Sequence, residues 1–244
     1  MSFFEIRNLV KHFGGLAAVN DVTFEVKEGE IFGLIGPNGS GKTTIFNMIS
    51  NYFSPTSGTI HFKGENITGL KTYKICQLGI GRTFQVVKPL GRMTVEDNVI
   101  AGAFARAKTK HHARGLAAET MEFCGLAHRK HVLAKSLPIG ERKRLEITRA
   151  MATRPQLLLL DETAAGLNPS ELDAAIDLIK KIRDNGTTII IVEHIMKVIM
   201  TISDRIHAIN FGSTIAAGTP REVANDKAVI EAYLGEEYAQ SQRN

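Results

Sequence analysis

Ile31-Phe32-Gly33-Leu34-Ile35-Gly36-Pro37-Asn38-Gly39-Ser40-Gly41-Lys42-Thr43-Thr44 is the stretch that decides the fold. A β-type apolar run, Ile31–Ile35, enters a glycine-rich turn and leaves it as a helix from about Lys42 to Ile49. Gly36 to Thr43 satisfy G-x-x-x-x-G-K-[ST], a motif whose residue types follow from its task. Glycines let the backbone curl until several N–H groups face one phosphate. The start of the following helix adds the positive end of its dipole. Lys42 supplies a cation between terminal phosphates, and Thr43 offers a hydroxyl to Mg²⁺. The expected cradle is Gly36, Pro37, Asn38, Gly39, Ser40, Gly41, Lys42, Thr43 and Thr44.

A second strand completes the chemistry. Leu157-Leu158-Leu159-Leu160 is a continuous apolar run, as expected of a parallel strand covered on both faces, and it ends in Asp161-Glu162. An aspartate at the carboxyl end of such a strand suits Mg²⁺ held opposite a phosphate loop. Glu162, one position on, is placed to polarise an attacking water. His194 follows the buried run Thr187–Val192 and is a candidate for contact with the γ-phosphate.

The rest of the chain frames these motifs. Ile6–Val10 and Val22–Val26 read as strands, Gly58–Lys63 as another, with Gly64-Glu65-Asn66 as a turn. From about Val86 to Ala150 helix-favouring residues dominate, with helices expected over Val95–Ala107, Ala117–Cys124 and Glu141–Ala152. Ser170–Asp184 reads as an amphipathic helix, Arg205–Ala217 as hairpin-like strands and Arg221–Leu234 as a last helix. Strands alternating with helices imply an α/β fold around a mostly parallel, P-loop (RecA-like) sheet. Ligands of such sheets gather at the strands' carboxyl ends, where all three motifs fall. An antiparallel β subdomain and an inserted helical subdomain complete the expected architecture. The division is 1–85 (first part of the core with the β subdomain), 86–150 (helical), 151–204 (second part of the core) and 205–244 (a closing tail).

Composition is consistent with this. The 244 residues can bury a substantial core, with 43% hydrophobic and 23% charged residues. The net charge of +5 is too small an excess to imply nucleic-acid binding. Two distant cysteines, Cys76 and Cys124, make neither a disulfide framework nor a zinc pattern, and a reducing cytosolic setting is the simplest account. The start lacks an apolar signal core, and no segment approaches the roughly 18 to 20 apolar residues of a spanning helix. Work at a membrane would need another chain to supply the membrane part.

Taken together these residues resemble the nucleotide-binding subunits of ABC transporters over nearly the whole chain. The resemblance implies that the nucleotide is ATP. It also implies further roles. Phe13 stands where the family has an aromatic that stacks on adenine. Gln85, in Arg82-Thr83-Phe84-Gln85, resembles the glutamine loop that contacts Mg²⁺ and senses the membrane partner. Ala165-Gly166-Leu167-Asn168 resembles the loop that crosses the dimer interface. His194 takes the place of the switch histidine, and Gly140 belongs to the signature segment. That segment reads Leu137-Pro138-Ile139-Gly140-Glu141 where the family has Leu-Ser-Gly-Gly-Gln, so a serine hydroxyl is missing. Such a hydrogen bond to a charged group contributes roughly 1 to 3 kcal/mol.

The resemblance narrows further to the ATPase subunits of branched-chain amino-acid importers. Asp161–Pro169, Val192–Lys197 and Ala232-Tyr233-Leu234-Gly235-Glu236 carry it. Thr163 departs from that branch, which usually has proline, and the helical insertion around Arg106–Leu116 is short for it. The implied partners are a second ATP-binding subunit, transmembrane permease subunits and, indirectly, a substrate-binding protein, with no nucleic acid. The implied location is the cytoplasmic face of the inner membrane. An ATPase of a lipid or polysaccharide exporter, or a soluble non-transport ABC ATPase, are the alternatives. A P-loop kinase or GTPase outside the family is disfavoured by Gln85, Gly140 and His194 together.

Overall fold

The computed structural model describes residues 2–83 and 89–241, the last helix beyond Leu234 by its backbone only. Gln85 lies outside the described residues. In chain order the strands and helices are β1 (Phe4–Phe13), β2 (Leu16–Val26), β3 (Ile31–Ile35), α1 (Lys42–Ile49), β4 (Ser57–Phe62), β5 (Glu65–Asn66), α2 (Thr72–Leu78), β6 (Ile80–Arg82), α3 (Val95–Ala103), α4 (Lys110–Phe123), α5 (Ile139–Met151), β7 (Leu157–Asp161), α6 (Pro169–Asp184), β8 (Thr188–Val192), α7 (Met196–Ile202), β9 (Arg205–Asn210), β10 (Ser213–Gly218), α8 (Pro220–Ala224) and α9 (Lys227–Ser241). Contacts divide them into two units, one of residues 1–72 with 188–244, the other of 73–187.

In the first unit β1 pairs antiparallel with β2 on one side and β4 on the other, and β5 extends β4. The two-residue strand β5 replaces the turn expected at Glu65-Asn66. β1 is longer than the expected Ile6–Val10 and carries a bulge. Asn8 sits at φ 48°, and the inward positions change from Phe4 and Ile6 to Leu9. A bulge adds one residue to one strand, so the faces exchange across it. The alternation that sequence reading relies on is broken there. β3 runs parallel to β8 (Leu34 opposite Val192) and to β9 (Phe32 opposite Arg205), and β10 closes antiparallel on β9. Every residue of β3 and β8 is buried. Two-sided burial explains why neither strand alternates apolar with charged residues.

In the second unit β6 runs parallel to β7, Arg82 opposite Leu159. α3, α4 and α5 pack around Val95, Val99, Ala113, Met121, Leu137 and Leu145. Threonines cap two of these helices: the Thr94 hydroxyl accepts from Asp97 N–H and the Thr109 hydroxyl from His112 N–H. α6 starts on a capping box, Asn168 with Glu171, and has Pro169 in its first turn. Gly102 marks where α3 meets α5, since a Cβ there would lie 2.4 Å from Arg149 O.

Several expected bounds move. The helix expected over Val95–Ala107 stops at Ala103, where Phe104 takes the C-cap. The one expected over Ala117–Cys124 begins earlier, at Lys110, because Thr109 caps a polar first half that carries no apolar periodicity. The last expected helix divides into α8 and α9 at Asn225-Asp226. α2, β6 and α7 are too short to show a period and were not expected from the sequence. Among the described residues no helix is long and apolar enough to cross a membrane.

Candidate functional site

In the first unit the glycine loop leaves the carboxyl end of β3 and enters α1. Gly36 is held so tightly that a Cβ on it would lie 2.1 Å from Ile209 O. Its φ of 153° also favours glycine. Gly41 is the N-cap of α1 at φ 108°, and a Cβ there would meet Ala18 O at 2.5 Å. No side chain caps this helix and its first turn holds no acid. Its first backbone bond runs from Ile45 N–H to Gly41 O, so the amides of Thr43 and Thr44 precede the ladder. Such a terminus is a ready site for an anion.

Lys42 is 6% exposed, and its ammonium donates to Gly36 O at 2.7 Å and Pro37 O at 2.8 Å. The cation therefore lies inside the loop, held by two of its carbonyls. Asn38 and Gly39 are exposed at the crest, while Ser40 is buried, its carbonyl accepting from Gly212 N–H at 2.9 Å. Phe13 ends β1 with 46% of its surface exposed. Its ring stands edge-on to Phe53 at 5.2 Å, with the Lys11 ammonium 5.1 Å from its centroid. The first unit thus holds two open ring positions, one phenyl and one imidazole. The imidazole is His194, exposed and two residues past Val192. Because Val192 lies opposite Leu34 in parallel register, His194 and Gly36 leave adjacent strands at the same end.

In the second unit Asp161 ends β7 and Glu162 follows it. Asp161 is 1% exposed and its carboxylate accepts from the Arg82 guanidinium at 3.0 Å. Burial pushes the Arg82 pKa below its ordinary value, and the Asp161 partner pulls it back up. The Asp161 N–H donates to the Thr83 hydroxyl. Glu162 adopts φ 49°, a left-handed conformation that costs a non-glycine residue roughly 1 kcal/mol. The Lys143 ammonium donates to its carbonyl at 3.1 Å. Strain of this kind collects where geometry matters to chemistry.

The signature segment opens α5. Pro138 is the N-cap and contributes no side-chain bond. Gly140 faces α6: a Cβ on it would lie 2.5 Å from Glu171 Oε1. Glu141 is paired with Arg129 at 3.0 Å. A cavity of about 450 Å³ opens beside this segment, lined by Pro138, Gly140, Glu141, Thr163 and Leu167 among others.

Among the described residues no group of three or more His, Cys, Asp or Glu gathers as a metal cage. Each unit has an oxygen donor of its own, the Thr43 hydroxyl in the first and the Asp161 carboxylate in the second, each of the hard type that Mg²⁺ takes alongside waters and phosphate oxygens. Sequence reasoning missed Arg82 and Lys143. The only local signal for either was a basic residue beside a motif.

This fold and loop define a P-loop nucleotide-binding cassette. The sequence pattern of the family described as "ABC transporter" matches residues 19–165. A second pattern, "Branched-chain amino acid ATP-binding cassette transporter", matches residues 213–239. The chain belongs to the ABC transporter ATP-binding family. It is 42% identical to the high-affinity branched-chain amino acid transport ATP-binding protein LivG of Salmonella typhimurium, over 95% of this chain and 97% of that one. It is 36% identical to the lipopolysaccharide export system ATP-binding protein LptB of Haemophilus influenzae, over 98% and 99%. A crystal structure of the ADP conformation of an ATP-binding cassette of an ABC transporter superposes with a TM-score of 0.88 at 30% identity, covering 97% of this chain and all of that one.

Proposed function

We propose that this chain is the ATP-hydrolysing subunit of a membrane importer for branched-chain amino acids. The observation that carries the reading is the uncapped helix α1 behind a glycine loop with Lys42 folded into it, while His194 leaves the neighbouring strand at the same end. The glycine loop and the start of α1, Gly36 to Thr44, bind the phosphates, and Lys42 exchanges its carbonyl partners for phosphate oxygens. Phe13 offers its open face to adenine. Glu162 accepts a proton from the attacking water, and His194 contacts the γ-phosphate. Thr43 and Asp161, with Gln85, would hold Mg²⁺, which draws charge off the phosphate oxygens in phosphoryl transfer.

In this reading residues 86–150 carry the signature, 1–85 with 151–204 form the nucleotide core, and 205–244 close it. The partners are a second cassette, whose phosphate loop faces Gly140 and the start of α5, and permease subunits in the membrane. The chain then sits peripherally on the cytoplasmic face. The match over residues 213–239 favours the importer over an exporter of the kind the second relative serves.

Glu162→Gln tests the chemistry. It keeps the shape and removes the base, so ATP binding stays at the wild-type level and turnover falls by about 10² or more. Undiminished hydrolysis would remove Glu162 from its role. Co-purification with the permease subunits, followed by ATPase assays with leucine, isoleucine and valine in the presence of the binding protein, tests the transport assignment.

A further inference from the structure

The C-terminal helix reaches the phosphate loop. The Gly36 N–H donates to the Tyr233 hydroxyl at 3.0 Å, across 197 residues of sequence. The carbonyl of the same glycine accepts from Lys42 at 2.7 Å. Gly36 thus joins two side chains through its own backbone groups, a tyrosine from α9 and the loop's lysine. The neighbouring turn between β9 and β10 holds the loop at a second point, since Gly212 N–H donates to Ser40 O. Ile209 O closes the space on the third side, where no Cβ fits on Gly36.

We infer that Tyr233 is a positioning residue for the phosphate loop, and that α9 senses nucleotide through it. The inference rests on the nucleotide reading above. A phosphate that draws Lys42 away from the Gly36 carbonyl leaves Tyr233 holding the other side of that residue. The tyrosine keeps Gly36 in its glycine-only conformation while its lysine departs. Tyr233 is half-buried. It lies inside the C-terminal stretch, residues 213–239, that matches the branched-chain pattern rather than the general cassette pattern. The device therefore belongs to the branch-specific part of the chain.

Tyr233→Phe removes the acceptor and keeps the ring. Loss of one such hydrogen bond weakens ADP and ATP binding by about three- to tenfold. KM for ATP rises with it, and kcat at saturating ATP falls less than about twofold, as for a contact made equally before and during the reaction. Tyr233→Ala, which also removes the ring, weakens binding at least as much. The chain has four tyrosines and no tryptophan. Uniform 3-fluorotyrosine labelling therefore gives few fluorine resonances, and the one lost in Tyr233→Phe is that of Tyr233. It shifts on titration of the full chain with MgADP. ADP affinity in Tyr233→Phe equal to the wild type, or a Tyr233 resonance that ignores bound ADP, overturns the inference. A wild-type chain with no affinity for ADP at millimolar levels overturns the nucleotide reading itself, a separate result.

Discussion

Acidification should destabilise this protein through one histidine beside the phosphate loop. His207 lies on β9 opposite Leu34, the residue two before Gly36. It is 4% exposed, its ring centroid is 5.2 Å from that of Phe24 and 6.2 Å from that of Phe32, and its Nε2 lies 2.9 Å from the Thr214 hydroxyl. Burial pushes its pKa down from 6.5 to about 4, and the nearby Arg205 cation, itself paired with Glu30, pushes the same way. The folded chain thus keeps His207 neutral where the unfolded chain protonates it. Between those two values the unfolded state holds the extra proton, so stability rises with pH across the window and is lost on the way down. At about 1.4 kcal/mol per unit, the loss on going from pH 7 is about 2 kcal/mol by pH 5 and about 3 kcal/mol by pH 4. Carboxylates titrate in the same range, so the measurement is a difference. Urea unfolding of the wild type and of His207→Gln at pH 7, 6 and 5 isolates the contribution. The wild type should lose that margin relative to the variant. A difference that stays level from pH 7 to 5 would mean the folded chain protonates His207 as readily as the unfolded one, and the burial argument would be wrong.

Lys42→Ala removes the cation folded into the loop; ADP affinity by titration should fall at least about tenfold, since a hydrogen bond to a charged group contributes about 1.5–3 kcal/mol. Arg82→Met leaves the buried Asp161 carboxylate without its guanidinium and should cost about 3–5 kcal/mol in urea unfolding, much of it regained in the Arg82→Met/Asp161→Asn double variant. Thr163→Val should raise the thermal midpoint. The Thr163 hydroxyl oxygen is buried with no hydrogen-bond partner among the described residues, and an isosteric methyl saves about 1 kcal/mol.

What the sequence made legible was local or periodic. The loop from Gly36 to Thr44 and the strand ending in Asp161 announce themselves within a dozen residues. The fully buried strands β3, β7 and β8 are apolar runs that nothing else in a chain of this composition explains. Two kinds of feature stayed hidden. Short elements such as α2, β6 and α7 span too few residues for a period to emerge, and the bulge at Asn8 reverses the faces within one strand. The second kind is contact between residues far apart in sequence. Arg82 meets Asp161 across 79 positions and Tyr233 meets Gly36 across 197. Neither pairing leaves a mark on its immediate neighbours, so propensity and motif spacing are blind to both.

These distant contacts answer a problem that the motif creates. Glycine loses more conformational freedom on ordering than any other residue. A loop holding Gly36, Gly39 and Gly41 would be a poor phosphate cradle if the ligand alone had to order it, because that entropy would be subtracted from every binding event. Here the ordering is done in advance by groups outside the motif. Ile209 O and Ala18 O stand where any Cβ on Gly36 or Gly41 would go, and Gly212 N–H holds the Ser40 carbonyl. The glycines are needed for close approach as much as for curvature: they let neighbouring backbone press against the loop and fix it. The motif therefore specifies which atoms can face a phosphate. The hairpin of β9 and β10 and the strand β2 determine that they already do.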